Sequence, residues 1–146
     1  EGCGVSQRVI RVGLDPCLET LRAARRRSPG TPLVLGAAER LPFRSGAFDT
    51  VVSGLVFCSV SEPIRALGEV RRVLAPGGTL RMLEHVRATF SVHALLQDAF
   101  QPLWTRVTGG CYPNRDTEAA VLKARFRIDE GSRRANGILR RFVARP

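Results

Sequence analysis

The sequence predicts an α/β protein with a mostly parallel sheet and helices on both of its faces. Strand-like and helix-like periods alternate along the 146 residues, and the strand-like segments are rich in apolar and β-branched side chains. A chain of this length with 44% hydrophobic residues can bury a real core. We therefore expect a single domain spanning residues 1–146.

The first half of the chain supplies the clearest alternation. Its apolar spacing predicts a strand from Arg8 to Leu14, a helix from Pro16 to Arg27 and a short buried strand from Leu33 to Leu35. A further strand begins at Phe48. The amphipathic helix after it should end at Ala75-Pro76-Gly77-Gly78, because proline and glycine stop helices.

The second half continues with elements that show the same two periods. They are a strand from Thr79 to Val86, a helix from Ser91 to Val107 bent near Pro102, a helix from Thr117 to Ala124, and strands from Phe126 to Asp129 and from Ile138 to Val143.

The formal charge of +10 does not by itself indicate a nucleic-acid partner. The arginines are scattered and no aromatic residues alternate with them as a stacking platform, so we expect no nucleic-acid partner. No apolar run approaches the ~20 residues of a membrane-spanning helix, and no signal peptide opens the chain. We expect a soluble cytoplasmic protein, and the oligomeric state stays open.

The four cysteines, Cys3, Cys17, Cys58 and Cys111, are widely spaced and form no Cys-x-x-Cys pair. This spacing indicates neither a zinc site nor a disulfide framework. We therefore expect no metal, and we interpret the cysteines as small buried hydrophobes.

Two motifs suggest a nucleoside site at the carboxyl ends of the strands, where open parallel sheets bind ligands. Glu1-Gly2-Cys3-Gly4 is a glycine turn that would let the backbone approach a ligand, although an ordinary turn has the same pattern. Asp15 ends an apolar strand, where its carboxylate can accept hydrogen bonds from both ribose hydroxyls. Its alternative role is a helix N-cap, which would occupy the same oxygen atoms.

Further motifs narrow the interpretation to one family. The chain has Leu41-Pro42-Phe43, Phe48-Asp49, Leu83-Glu84-His85-Val86-Arg87, Gly109-Gly110-Cys111 and Arg115-Asp116-Thr117. Over about Asp15 to Ala124 this set resembles the class I S-adenosylmethionine-dependent methyltransferases of the type 11 domain. It is most similar to the methyltransferase-like group that contains the alkyl thiol methyltransferases, which is related to the quinone-biosynthesis methyltransferases.

The resemblance implies a Rossmann-like fold and S-adenosylmethionine as cofactor. Many members have an aspartate where Ala37 stands, so the adenine amino group would be bound by backbone or by Glu39. The cofactor contacts that the resemblance implies are Glu1, Gly2, Gly4, Asp15, Pro16, Ala37, Ala38, Glu39 and Leu55.

The implied reaction is methyl transfer to a small acceptor, which could be a thiol, a lipid or a quinone-like molecule. Glu84, His85 and Asp98 are the candidates for acceptor handling, because a carboxylate or imidazole could accept the proton of a thiol. Each has a structural alternative. Glu84 could cap or pair with an arginine, His85 could be a satisfied structural histidine, and Asp98 could lie on a solvated helix face.

One feature conflicts with the family pattern. The glycine turn normally follows a central strand, whereas this sequence starts at Glu1, so we expect the N-terminal strand and first helix to be missing. A truncated, non-catalytic remnant or interaction module therefore stays as the alternative. A nicotinamide-dependent oxidoreductase is disfavoured because no intact Gly-x-Gly-x-x-Gly is present.

Overall fold

The computed structural model describes residues 9–85, 91–108, 110–112 and 114–146. The chain divides into two compact units, one ending at Ala37 and the other beginning at Ala38. The expectation of one domain over the whole chain therefore stays a prediction.

The first unit contains strand β1 (Gly13–Asp15), helix α1 (Leu18–Arg27) and strand β2 (Leu33–Leu35). β1 pairs with β2 in parallel, with Gly13 opposite Leu33 and Asp15 opposite Leu35. A parallel pair needs a crossover connection, which α1 provides. The carboxyl ends of the two strands consequently lie at the same edge.

In this unit the predicted starts of the first strand and of the helix are wrong, whereas the end of the helix and both bounds of the second strand are right. The strand expected from Arg8 forms its ladder only at Gly13–Asp15, and Ile10 is 88% exposed. The helix expected from Pro16 begins at Leu18 and ends at Arg27 as predicted. The strand Leu33–Leu35 is confirmed.

The second unit holds the larger sheet, with strand order β3-β4-β6-β5. β4 runs parallel to β3, whereas β6 is antiparallel to both β4 and β5. Its elements are β3 (Phe48–Gly54), α2 (Pro63–Val73), β4 (Leu74–His85), α3 (Ser91–Thr108), α4 (Thr117–Lys123), β5 (Arg127–Asn136) and β6 (Leu139–Arg145).

The core of the second unit lies between this sheet and helices α2 and α4. α2 carries apolar residues at helical spacing, so one stripe of the helix is buried. The sheet contributes alternate residues from β4 and β6, because successive strand side chains point to opposite faces. The buried set includes Ala66, Leu67, Val70, Leu80, Met82, Val121, Phe126, Phe142 and Ala144.

The first part of β4 makes a close backbone approach at Gly78. A Cβ atom built there would lie 2.9 Å from the Ala75 carbonyl oxygen and 3.2 Å from that of Asp49. Glycine at this position lets β4 lie against the start of β3, next to the irregularity between Phe48 and Thr50 in the ladder.

Helix α3 is confirmed and contains Pro102, but its apolar stripe is not core. Apolar residues recur along α3 at helical spacing, which usually indicates a buried face, whereas Leu95 is 70% and Val107 75% exposed. Phe100, Leu103 and Trp104 are exposed as well. None of the helices in the described ranges has the length and apolar character needed to cross a membrane.

Candidate functional site

Two of the three acceptor candidates, Glu84 and His85, lie at one edge of the larger sheet. β3 and β4 are parallel, so the loop after Gly54 and the last residues of β4 meet at their carboxyl ends. The loop starts at Leu55, whose φ of +57° is unusual for a residue with a side chain. Its N–H donates to the carbonyl of Leu83 at 2.8 Å, which holds the loop against β4.

Glu84 fixes the same loop from within the protein. Its side chain is fully buried, and its Oε1 accepts hydrogen bonds from Ser53 Oγ at 2.7 Å and from the Val56 N–H at 3.1 Å. Its Oε2 accepts from the Phe57 N–H at 3.1 Å. Buried carboxylates are costly unless they are hydrogen-bonded, and this one has three donors. The alternative of pairing with an arginine is therefore not needed to explain its burial.

His85 lies next to two cysteines that are distant in sequence. Its Nδ1 is 3.9 Å from Cys111 Sγ, and the ligating atoms of Cys58, His85 and Cys111 all lie within 4.8 Å of one another. Both cysteines are buried, as expected, whereas Cys17 is exposed, contrary to the expectation that it is a buried hydrophobe. Burial, followed by the hydrogen bond with Cys111, raises the pKa of Cys58 to about 11, so its thiol stays protonated near neutral pH.

Hydrogen bonds from the Tyr112 backbone and from the Arg115 side chain hold the segment after α3 against this edge. The Tyr112 N–H donates to the Cys58 carbonyl at 2.8 Å. Arg115 donates to the carbonyls of Phe57, at 2.9 Å, and Val60, and its guanidinium lies 4.8 Å from the centroid of the Tyr112 ring. A planar guanidinium with several donors suits this bridging role.

Asp98 is on α3 and is held by the segment that precedes α4. Asn114 Nδ2 donates to Asp98 Oδ1 at 2.9 Å. The structure thus brings Glu84 and His85 to one edge as neighbours in β4. It gives Asp98 a structural contact of its own, and the role of these three residues in acceptor handling stays a prediction.

The predicted adenine segment of the second unit contains Ala38 and Glu39, both half-buried. Glu39 Oε1 accepts from the Ser61 N–H at 3.0 Å and lies 3.4 Å from the Glu62 nitrogen, just before α2. One carboxylate oxygen is therefore used to hold the start of α2.

The neighbouring Leu41-Pro42-Phe43 loop is supported by an ion pair on α2. Arg72 donates to Glu69 with two bonds of 2.8 Å and to the carbonyls of Leu41 and Phe43 at 3.0 and 2.8 Å. The hydrogen bond from Arg72 lowers the pKa of Glu69. Glu69 Oε2 in turn accepts from the Leu41 N–H at 2.8 Å, so the loop is held from both sides.

In the first unit, Asp15 is the last residue of β1. Its Oδ1 accepts from the Cys17 N–H at 2.8 Å, and Cys17, rather than Asp15, is the N-cap of α1. No described residue donates to Oδ2, so that oxygen has capacity for a ribose hydroxyl. The Gly36 N–H donates to the Asp15 carbonyl at 3.2 Å, which keeps Ala37 close to this edge. The arrangement fits a nucleoside ligand.

The remaining predicted cofactor contacts fall in different places. Pro16 is exposed in the turn after β1, and Leu55 is exposed after β3. Glu1, Gly2 and Gly4 lie outside the described residues. All the assignments of cofactor contacts stay predictions.

Sequence reasoning missed the association of Cys58 and Cys111 with His85 and the bridging role of Arg115. One signal was available. A cysteine after one parallel strand and a histidine ending its neighbour belong at the same sheet edge.

Comparison with known proteins places the chain in a family. The family described as "Methyltransferase domain" matches residues 3–82, more than half of the chain. A human protein, thiol S-methyltransferase TMT1B, is 43% identical over 82 residues, which are 56% of this chain and 34% of that protein. Demethylmenaquinone methyltransferase of Renibacterium salmoninarum is 39% identical over 79 residues, 54% of this chain and 33% of its own. The chain spans about a third of the length of these relatives.

Solved structures agree on the fold. An S-adenosylmethionine-dependent methyltransferase from Thermotoga maritima superposes with a TM-score of 0.69 at 19% identity, over 90% of this chain and 71% of that one. An S-adenosylmethionine-dependent methyltransferase from Mesorhizobium loti gives 0.69 at 17% identity, over 92% and 79%. The predicted Rossmann-like α/β class is confirmed.

Proposed function

The chain belongs to the methyltransferase domain family, and we propose that it transfers a methyl group from S-adenosylmethionine to a small acceptor, with a thiol as the preferred class. The observation that carries this proposal is the family match over residues 3–82, which includes nearly all of the segments assigned to the cofactor. The thiol class is supported by the similarity to a thiol S-methyltransferase. Quinones are the second acceptor class, supported by the menaquinone relative.

The residues at the edge of the first unit would hold the nucleoside part of the cofactor. Asp15 keeps one carboxylate oxygen without a donor among the described residues, so it would accept a hydrogen bond from the ribose. Pro16 and Ala37 follow β1 and β2 and would line the same ligand. The family resemblance also assigns Ala38, Glu39 and Leu55 of the second unit to the cofactor.

S-adenosylmethionine would supply an electrophilic methyl group on a sulfonium, which needs little further activation. Methyl transfer to an acceptor thiolate would form a new S–C bond as the bond from the methyl carbon to the sulfonium sulfur breaks, which would give a thioether and S-adenosylhomocysteine. The thiolate is the nucleophile, so the acceptor thiol would first lose its proton, to solvent or to one of the predicted acceptor residues Glu84, His85 and Asp98. The chief task of the protein is alignment of the two reactants.

Two features of the second unit suit this task. Glu84 is a positioning residue, because its hydrogen bonds hold Val56 and Phe57 next to Leu55. The exposed apolar side chains of α3, among them Phe100 and Trp104, offer contacts to an apolar acceptor. Together they favour an acceptor with a hydrocarbon part.

A label-transfer assay tests the proposal. The purified chain is incubated with methyl-labelled S-adenosylmethionine and, in separate reactions, an alkyl thiol, a demethylated quinol or no acceptor. We expect label in the thioether and a kcat/KM at least ~10-fold lower for Asp15→Asn, which corresponds to ~1.4 kcal/mol of lost interaction.

Asp49→Asn is the matched control. Asp49 is exposed near the amino end of β3, away from the carboxyl edge, so its removal should leave kcat/KM unchanged. Transfer only to the quinol would overturn the choice of acceptor. A folded chain that neither binds S-adenosylhomocysteine nor transfers label would select the non-catalytic alternative.

A further inference from the structure

We propose that Cys58, His85 and Cys111 form a binding site for a transition-metal ion, with Zn²⁺ as the expected ion. The site would share His85 with the predicted acceptor residues, but metal binding can be measured without methyl transfer, so the proposal does not depend on that activity. Two thiolates and one imidazole are ligands that zinc prefers in proteins.

The three ligands come from three separate parts of the fold. Cys58 lies in the loop after β3, His85 is the last residue of β4, and Cys111 follows α3. Their ligating atoms already lie within 4.8 Å of one another. Zn–S and Zn–N bonds of about 2.3 and 2.0–2.1 Å place tetrahedral ligands about 3.6–3.8 Å apart, so a contraction of about 1 Å at most would complete the geometry.

The backbone of each ligand is anchored at its carbonyl. The Cys58 carbonyl accepts from the Tyr112 N–H at 2.8 Å, and the Cys111 carbonyl accepts from Thr105 Oγ1 at 3.0 Å. The His85 carbonyl accepts from Thr117 Oγ1 at 3.5 Å. Because neighbouring segments hold all three backbones, only side-chain adjustment is needed, which is how protein sites are preorganised for metals.

Burial and charge are consistent with a bound divalent cation. Cys58 is 1% and Cys111 9% exposed. Metal binding would release both thiol protons, including that of Cys58, and the two resulting thiolates would balance the two positive charges of the ion. A buried charge is tolerated when it is paired, so the neutral cluster as a whole avoids the desolvation cost of a lone ion. The nearby Glu84 carboxylate is already used by its three donors, which leaves the cysteines and histidine as the ligands.

Two simpler explanations compete with a metal site. Packing with a hydrogen bond between Cys111 Sγ and His85 Nδ1 explains their 3.9 Å contact, but it predicts no stoichiometric metal and no thiolate bands with Co²⁺. A disulfide would join Cys58 and Cys111 and would give His85 no role. Among the described residues no fourth histidine, cysteine or carboxylate joins the cluster, so the fourth position would take water or an external ligand.

Metal titration of the whole chain tests the site. The protein is stripped with a chelator under reducing conditions and titrated with Zn²⁺ against a chromophoric chelator, and with Co²⁺ as a spectroscopic probe. We expect one ion per chain and a Co²⁺ spectrum with thiolate charge-transfer bands and the intense visible bands of a tetrahedral site.

Substitutions identify the ligands. Cys58→Ser, Cys111→Ser and His85→Gln should each weaken Zn²⁺ binding by more than about 100-fold, beyond the 10–100-fold effect of losing a supporting partner. Cys17→Ser is the matched control, because Cys17 is exposed and outside the cluster, and it should bind like the wild type. Circular dichroism of each metal-free variant reports whether it is folded.

The wild-type Co²⁺ spectrum keeps the test independent of variants that do not fold. Absence of stoichiometric metal would overturn the proposal, as would a spectrum without thiolate bands. Unchanged Zn²⁺ affinity in folded Cys58→Ser or His85→Gln would also overturn the proposal. A protein that binds no metal and instead shows a Cys58–Cys111 disulfide would establish a redox pair in place of the metal site.

Discussion

Replacing Glu84 with glutamine tests how the loop after β3 is held. The change conserves size but converts one of the two acceptor oxygens into an amide donor. Ser53 and Val56 share Oε1, whereas Phe57 donates to Oε2. The best orientation of the glutamine keeps its oxygen for Ser53 and Val56 and turns the amide nitrogen toward the Phe57 N–H.

The expected loss in the free energy of unfolding follows from the buried donors that Glu84→Gln would leave without acceptors. The Phe57 N–H and an amide N–H of the glutamine would face each other inside the protein, where Phe57 is 3% exposed. Each unsatisfied buried donor costs about 1–3 kcal/mol, so Glu84→Gln should lower the free energy of unfolding by about 2–6 kcal/mol. For a chain of this size, about 2–4 °C in Tm corresponds to each kcal/mol.

Urea denaturation followed by circular dichroism measures this loss. Glu130→Gln provides the control, because Glu130 is exposed and, within the part of the chain that the structure describes, its ion-pair partner is Arg133, and the change should alter stability by no more than about 0.5 kcal/mol. A Glu84→Gln protein within about 0.5 kcal/mol of the wild type would refute the proposed role of the carboxylate.

Two further predictions concern Glu69 and Arg115, whose side chains hold loops in place through hydrogen bonds. The pKa of Glu69 is lower in the folded protein than the ordinary glutamate value of about 4.3. The stabilising contribution of this carboxylate is therefore fully present above that ordinary value and is lost as the pH falls through the folded-state pKa. Wild-type stability should consequently decline more steeply in acid than the stability of Glu69→Gln. Parallel pH series of urea midpoints would show this, and identical slopes would contradict it. Arg115→Ala removes a charged donor from two carbonyls and should cost about 1.5–3 kcal/mol in urea unfolding, whereas exposed Arg127→Ala should cost no more than about 0.5 kcal/mol. Equal losses in the two arginine variants would count against the bridging role.

Local sequence patterns predicted the helices and strands that have a strong hydrophobic period or a clear stop signal. Helix α3 begins at Ser91 as expected, and β2 has the predicted bounds. The predicted strand from Arg8 to Leu14 was too long at its start, because an apolar pattern does not say which residues find a strand to pair with. In the structure only Gly13–Asp15 faces β2.

The site was predicted in part for a related reason. Residues near the carboxyl ends of strands, such as Asp15 and Glu84, could be assigned to a sheet edge from the sequence, because parallel strands direct their carboxyl ends to the same edge of their own sheet, and their roles stay predictions. The contacts of Glu84 could not, since they depend on the turn of the chain at Leu55. The cluster of Cys58, His85 and Cys111 has no local spacing signal, and it emerges only when three distant segments pack together.

Calorimetric titration of the purified chain with S-adenosylhomocysteine tests the cofactor site most directly. We expect saturable binding of one equivalent to the wild type and to Asp49→Asn, and affinity at least ~10-fold weaker for folded Asp15→Asn, equivalent to ~1.4 kcal/mol. Equal affinity in Asp15→Asn and the wild type would contradict the assignment of the ribose to Asp15. Absence of binding to the folded wild-type chain would contradict the proposed activity itself.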